Sequence, residues 1–284
     1  MTDGPIRVRI VGTGRAGGSF SAALTEVGCR VELVHRDHPD PGRGVDLVLC
    51  CVPDAVVGTL VPTWPVHVGT VVAHCAGSLG LEVLGAHPRV ASLHPLVSLP
   101  DPDTGAERLR GAWFAVAGDP LVSDLVASLG GTAVEVGDLD RATYHAAAVV
   151  ASNHLVALMG QVERLAASVG VPLEAFVQLA SGSLANVAAT GPAAALTGPV
   201  ARADWATVLA HLDVLGTDEQ LAYRSLAEQA AQLVGPERVA ELRGVLAALD
   251  RDGGAGGGAG GGADADGGNG GDRGSEGRAD GTAP

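Results

Sequence analysis

The chain contains no lysine. All 18 of its basic side chains are arginines, which excludes a Schiff-base lysine or a lysine general acid from any mechanism. Aromatic residues make up only 3% of the 284 positions while hydrophobic residues make up 46%, so the core must be built from Val, Leu and Ala with close backbone packing. Net positive charge is missing as well. A formal charge of −14 argues against a nucleic-acid backbone or an anionic membrane surface as partner, and leaves room only for a local arginine site facing a small anion. Cysteine is scarce, and Cys29, Cys50, Cys51 and Cys75 all lie in or beside apolar runs without CxxC spacing. They read as small buried residues of a reducing compartment. The first residues, "MTDGPIRVRIVG", enter a strand pattern without a basic region and apolar signal core, so no export is expected and the cytoplasm is the default location.

What is present divides into three parts. From residue 6 to about 137, β-branched runs alternate with helical stretches: strands are predicted at 6–12, 29–36, 45–52, 70–75, 90–93, 113–118 and 132–136, with helices at 16–27, 54–60 and 120–129. Such alternation predicts a mainly parallel sheet with helices on both faces. From 138 the pattern turns helical, beginning with one long proline-free segment from Asp138 to Gly170 and continuing with helices at 172–189, 203–215, 217–234 and 236–250. Residues 142–161 carry no acid, lysine or arginine, but Tyr144, His145, Ser152, Asn153, His154 and Gln161 would each need a polar partner in lipid. A helical bundle or a dimer seam suits that segment better than a membrane. After residue 250 the chain becomes Gly-rich and acidic without a large apolar residue, a composition expected to form a disordered tail. The predicted organisation is therefore an α/β Rossmann-like domain over 1–137, an all-α domain over 138–250, and a tail over 251–284.

The stretch "IVGTGRAGGSF" places Gly12, Gly14 and Gly17 in GxGxxG spacing between a strand and a helix, with Thr13, Arg15 and Ala16 filling the turn. The first glycine permits the tight turn, the second lets a pyrophosphate approach the backbone, and the third lets helix and strand pack closely. This predicts a dinucleotide site, lined further by Val52, Pro53 and Cys75 at the ends of later strands. Dinucleotide sites selective for NAD end the second strand with an acid that holds the ribose hydroxyls. Here that position carries His35 and Arg36, and a guanidinium there can pair with a 2′-phosphate, so the expected cofactor is NADP(H). The competing readings of "HRDHPD" are a solvated loop or a weak metal site from His35, Asp37 and His38, and no other ligand cluster supports metal.

The ending "VELVHR" resembles the strand end of the 6-phosphogluconate-dehydrogenase-like superfamily, in which Asn-Arg or a similar pair selects NADP. More specifically, "CCVPD" (50–54), "HCAG" (74–77), "SLHPL" (92–96), "YHAAAVVASNHLV" (144–156) and "GPAAALTGPVARADWATVLAHL" (191–212) are similar to Rossmann-like NADP-dependent oxidoreductases with a C-terminal domain of unknown function. Ketopantoate reductases and prephenate dehydrogenases belong to the same wider group. Two positions depart from the pattern: Ala76 stands where Ser is usual, and Ala203 where Gly is usual.

The resemblance implies roles for particular residues. His94 matches the His-Pro motif at a strand end of prephenate dehydrogenases, where the histidine contacts the group being oxidised, and its pKa class suits proton transfer near neutrality. Relatives place a Lys and an Asn on the long helix to polarise a carbonyl. Without lysine, this chain would use His145 or Arg141 together with Asn153, unless His145 and Asn153 are buried polar residues satisfied across helices. Arg202 could meet a substrate carboxylate while Asp204 caps the next helix, or the two could form a surface pair. The implied function is an NADP(H)-dependent oxidoreductase acting on the C=O or C=N of a small acidic metabolite, for instance a 2-oxo acid such as ketopantoate. A homodimer through the helical domain is expected. The alternatives are a regulatory or scaffold protein that holds NADP(H) without turnover, and a dimerisation protein with a vestigial site.

Overall fold

The computed structural model describes residues 4–255, with side chains through Arg251. The chain divides into two compact units, one ending at Val169 and one beginning at Gly170.

The first unit is built on a seven-stranded sheet in the order β2-β1-β3-β4-β5-β6-β7. Its strands are β1 (Arg7–Val11), β2 (Arg30–Val34), β3 (Leu47–Cys50), β4 (Val71–His74), β5 (Val90–Pro95), β6 (Trp113–Gly118) and β7 (Thr132–Glu135). All neighbours pair in parallel except β5 and β6, where Leu93 opposes Val116 in an antiparallel register. The reversal follows from the helix between them. α1 (Arg15–Glu26) starts at the carboxyl edge of the sheet, α2 (Asp54–Leu60) follows β3, and α3 (Pro102–Leu109) packs on α1. Gly18 and Gly105 make that close approach possible, since a Cβ at Gly18 would stand 2.8 Å from Pro102 Cγ. The chain therefore re-enters the sheet from the carboxyl edge. A helix over 102–109, stitched at its start by Asp101 accepting from the Thr104 amide at 2.8 Å, was not expected from the sequence.

Side chains alternate across the strands, as the pleat requires. On one face Ile10, Leu47, Leu49, Ala91 and Leu93 pack under Phe20 and Leu24 of α1, Leu109 of α3 and Leu125 of α4 (Leu121–Ser128). Val48, Cys50 and Val72 on the other face pack against Val57, Trp64 and Leu84. Burying each such Leu or Phe stabilises the unit by about 1.5–3 kcal/mol. Cys50 and Cys51 lie in this interior, Cys29 and Cys75 are half-buried, and all four are unpaired; burial pushes the Cys50 thiol up to about 12.

The segment expected as one helix is helical without interruption from Arg141 to Ser168, with a π turn inside it. A short 3-10 turn at Asp138–Asp140 leads into α5 (Arg141–Val149), a π turn at Val150–His154, and α6 (Leu155–Ser168). The π turn adds a residue to the helical register, a device that recurs beside functional sites. The predicted boundary after residue 137 separates sheet from helices, whereas the compact units divide after Val169 because Arg141 and Tyr144 bond to Ser92 and His94 of β5.

The second unit contains α7 (Leu173–Thr190), α8 (Pro192–Ala195), α9 (Trp205–Val214), α10 (Thr217–Val234) and α11 (Pro236–Ala255). Val200, Val208, Leu212, Ala227, Ala231 and Leu242 form its small core, and α7 buries none of its own residues. α11 extends through the first residues assigned to the Gly-rich tail; the rest of that tail lies outside the described residues. Among the described residues no helix is long and apolar enough to cross a membrane.

Candidate active site

Two groups of residues stand at the carboxyl edge of the parallel strands, where open α/β sheets place their ligand crevice. The first is the glycine turn. Gly12 adopts φ 116°, a left-handed conformation in which a Cβ would stand 2.5 Å from the Cys51 carbonyl oxygen. A Cβ at Gly17 would overlap the carbonyl oxygen of Gly12. Gly14, the N-cap of α1, has nothing within 4 Å of its missing Cβ, no capping side chain and no acid in the helix's first turn. Free amides, a positive dipole end and open space together suit a phosphate. Thr13, Gly14 and Arg15 are exposed and Ala16 is half-buried along this turn.

In the middle of β2, Glu32 accepts from Arg9 at 2.6 and 2.8 Å and so belongs to a salt bridge within the sheet. His35 Nδ1 lies 3.0 Å from Asp37 Oδ1, and Arg36 is exposed beside them. Val52 is buried, Pro53 is exposed at the start of α2, and the Cys75 thiol donates to the Cys50 carbonyl at 3.6 Å. Among the described residues no group of three or more His, Cys, Asp or Glu side chains is arranged to hold a metal ion.

The second group is a crowded cluster of polar rings. His74 ends β4, and Ser92 and His94 share one face of β5 because they are two residues apart. From α5, Arg141 reaches Ser92 and Tyr144 reaches His94. The Tyr144 hydroxyl is 2.6 Å from His94 Nδ1, with the two rings edge to face at 5.5 Å. His145 stands edge to face on the other side, its centroid 5.9 Å from that of His94. Both imidazoles converge on Gly77: a Cβ there would stand 2.5 Å from His145 Nδ1 and 2.8 Å from His94 Nε2.

This setting changes the chemistry expected of His94. Burial, then the neighbouring His145 and Arg141, lower its pKa to about 4, so it is a neutral imidazole at pH 7 rather than a group poised near neutrality. His74 is likewise pushed down, first by burial, and its Nε2 lies 3.2 Å from the Gly80 carbonyl oxygen. Arg141 is 1% exposed. The guanidinium bonds to Ser92 Oγ through Nη2, while Nε and Nη1 are buried without a partner. The expected contact between Arg141 and substrate therefore gives way to a place beneath the rings, because the i, i+3, i+4 spacing of Arg141, Tyr144 and His145 turns this face of the helix onto β5.

Asn153 stands exposed in the π turn, accepts from Ser152 at 2.9 Å, and has no hydrogen bond to either histidine. Arg202 belongs to the second unit, in the turn before α9. Asp204 caps that helix by accepting from the Thr207 amide at 3.2 Å, and between them Ala203 holds φ 56°. Glycine, the residue that the resemblance implies at this position, suits such a left-handed backbone. Tyr144, Gly77, His74 and Ser92 lie within the motifs "YHAAAVVASNHLV", "HCAG" and "SLHPL" but receive no role from the resemblance. The signals that find them are spacings: Tyr144 three residues after Arg141, and alternate residues on β5.

Residues 115–230 match a domain of unknown function, DUF2520. None of the curated proteins matches the sequence. Among solved structures, the fold is similar to that of BF3122 from Bacteroides fragilis, named as a candidate NADP oxidoreductase (17% identity, TM-score 0.65, covering 81% of this chain and 98% of that one). It is equally similar to TM1727 from Thermotoga maritima (23% identity, TM-score 0.65, 80% and 98%). A further likeness is to pyrroline carboxylate reductase from Plasmodium falciparum, solved with NADP bound (13% identity, TM-score 0.56, 83% and 98%). The fold is thus that of these proteins: a Rossmann-type sheet followed by helices.

Proposed function

We propose that the chain is an NADP(H)-dependent oxidoreductase that transfers hydride to or from the C=O or C=N carbon of a small acidic metabolite, with a 2-oxo acid such as ketopantoate as the working substrate. One observation carries this reading: the glycine turn and the His94 cluster open onto the same edge of one parallel sheet. Gly12, Gly14 and Gly17 fit a pyrophosphate, Val52, Pro53 and Cys75 would border the nicotinamide half, and Arg36 would pair with the 2′-phosphate, since Glu32 is already engaged by Arg9. Bound there, the reduced nicotinamide would supply hydride. His94 would hold the reacting oxygen or nitrogen through Nε2, and His145 would orient it from the opposite side of Gly77.

The reading of a homodimer through the helical unit is supported by Val177, Leu179, Leu184 and Val187, apolar side chains that a single copy leaves exposed on α7. A cytoplasmic setting suits four unpaired thiols. NADPH fluorescence and absorbance test the function. Wild-type protein should bind NADPH in preference to NADH and oxidise it with at least one member of a panel of 2-oxo acids and cyclic imines. Arg36→Asp should abolish the preference. His94→Asn should lower turnover by about 10²–10⁴-fold while leaving NADPH affinity nearly intact. Binding without oxidation by any panel member would favour a regulatory role for the bound cofactor.

A further inference from the structure

The buried side-chain nitrogens without a partner among the described residues are Nδ1 of His74, Nε and Nη1 of Arg141, and Nδ1 of His145. All surround one hydrogen bond, the 2.6 Å contact between Tyr144 and His94. A buried guanidinium with a single neutral partner is costly, and here that partner is Ser92. The nearest acid that acts on it, Asp138, already accepts from the Leu81 amide at 3.1 Å. An incompletely balanced cation beside a phenol favours the phenolate.

His94 cannot give up a proton from Nε2 alone, because loss of that proton from a neutral ring leaves an imidazolate. The ring can pass a proton on only if Nδ1 is refilled in the same movement. At Nδ1 stands the Tyr144 hydroxyl.

Within the reductase reading above, on which this rests, we propose that Tyr144 is the proton source for the reaction and acts through His94. With the phenol donating to Nδ1, the imidazole proton sits on Nε2 and points toward the space beside Gly77. As the C=O or C=N carbon takes hydride from the reduced nicotinamide, its π bond breaks and charge develops on the oxygen or nitrogen. Nε2 gives its proton to that atom, and Tyr144 gives its own to Nδ1. The substrate gains a hydride at carbon and a proton at the heteroatom, the nicotinamide is oxidised by loss of that hydride, His94 ends neutral with its proton moved from Nε2 to Nδ1, and the phenolate rests beside Arg141 until solvent reprotonates it. Tyr144 is thereby a positioning and relay residue, and His94 the catalytic one.

The charges that face the pair are consistent with this division. Burial raises the Tyr144 pKa and Arg141 lowers it, so the phenol is protonated at rest and its ionised form has a neighbour to balance it. His94 is faced by His145 and Arg141 from α5, His74 from β4 and Asp54 from α2, with burial the largest influence, and stays neutral.

Ring-nitrogen NMR of full-length protein without cofactor reads the arrangement directly, with His94→Gln assigning the resonances. His94 in the wild type should carry its proton on Nε2 with Nδ1 accepting, and Tyr144→Phe should shift the Nδ1 resonance and release that tautomer. The same variant should lower turnover by about 10²-fold with NADPH affinity unchanged. Only two tyrosines are present, so in Tyr223→Phe protein the phenolate absorbance titrates Tyr144 alone; its midpoint should lie above that of a free tyrosine and rise further when Arg141→Met is added. A wild-type enzyme that turns over while His94 carries its proton on Nδ1, or while Tyr144→Phe keeps full turnover, overturns the relay and leaves the reductase reading standing. NADPH binding without turnover of any panel compound overturns the reductase reading, and the relay with it.

Discussion

The two sides of the proposed crevice are built on opposite principles. At the β1–α1 turn the site is made by absence: three positions lack a Cβ, and at Gly12 and Gly17 a Cβ would collide with backbone. At the ends of β4 and β5 the site is made by crowding, with His74, His94, Tyr144, His145 and Arg141 packed on one another and several of their nitrogens unpartnered. The turn can receive a ligand because its glycines leave backbone where side chains would collide. The cluster is specific because its side chains have few other places to go. A single added methyl group should therefore fail in a different way at each.

The largest effect is expected of Gly17→Ala. The methyl group would meet the Gly12 carbonyl oxygen, a backbone atom that cannot rotate away. Moving the turn should cost about 3 kcal/mol, which is about 10²-fold in NADPH affinity, read by fluorescence titration. Gly77→Ala is the counterpart at the cluster. Here the methyl group meets the ends of two imidazoles at 2.5 and 2.8 Å, and His94 is held from behind by Tyr144. Displacing the rings by a fraction of an ångström should lower turnover by about 10–10²-fold and change NADPH affinity by less than about twofold. If both variants lose cofactor and turnover together, the two sides are not separate devices.

A smaller effect separates them by acid. The glycines of the turn have nothing to titrate, whereas His94 and His74 have folded pKa values below the ordinary histidine value, His94 at about 4. The unfolded chain then binds protons that the folded chain refuses, so the stability contributed by these groups is complete above about pH 6.5 and is lost as pH falls toward 4. Denaturation midpoints measured at pH 7.5, 6 and 4.5 should fall steadily, by about 1–3 kcal/mol in stability over that window. His94→Gln should flatten part of the slope without altering the turn.

The same contrast explains what could be read from the sequence. The GxGxxG spacing is local, every residue of the turn lies within six positions, and glycine has one physical reason to be there, so the turn, the strands around it and the sheet were legible. The second unit's helices were legible as well, since Thr217–Val234 appears as predicted. The reversal of β6 was not, because it depends on α3 packing against α1, a contact between residues about 80 positions apart. Nor was the burial of Arg141, because an arginine at the start of an apolar helix beside a predicted crevice reads as a substrate contact until its bond to Ser92 of β5 is known. His94 was found by its proline and its strand end, yet its neutral state comes first from burial and then from His145 and Arg141, some 50 positions away.

The smallest effect concerns the converse of the glycine turn, a Cβ where the backbone favours none. Ala203 holds φ 56° between Arg202 and the helix cap Asp204, and a left-handed alanine costs about 1–2 kcal/mol. Ala203→Gly removes that strain but gives the unfolded chain more freedom, which offsets about 0.5–1 kcal/mol of it. The net expectation is a gain of about 0.5–1 kcal/mol in chemical denaturation, with no change in NADPH affinity. Ala203→Val should lose stability instead, since a β-branched side chain is least tolerant of positive φ. A loss on introducing glycine would mean that the Ala203 methyl group makes a packing contact worth more than the strain it imposes.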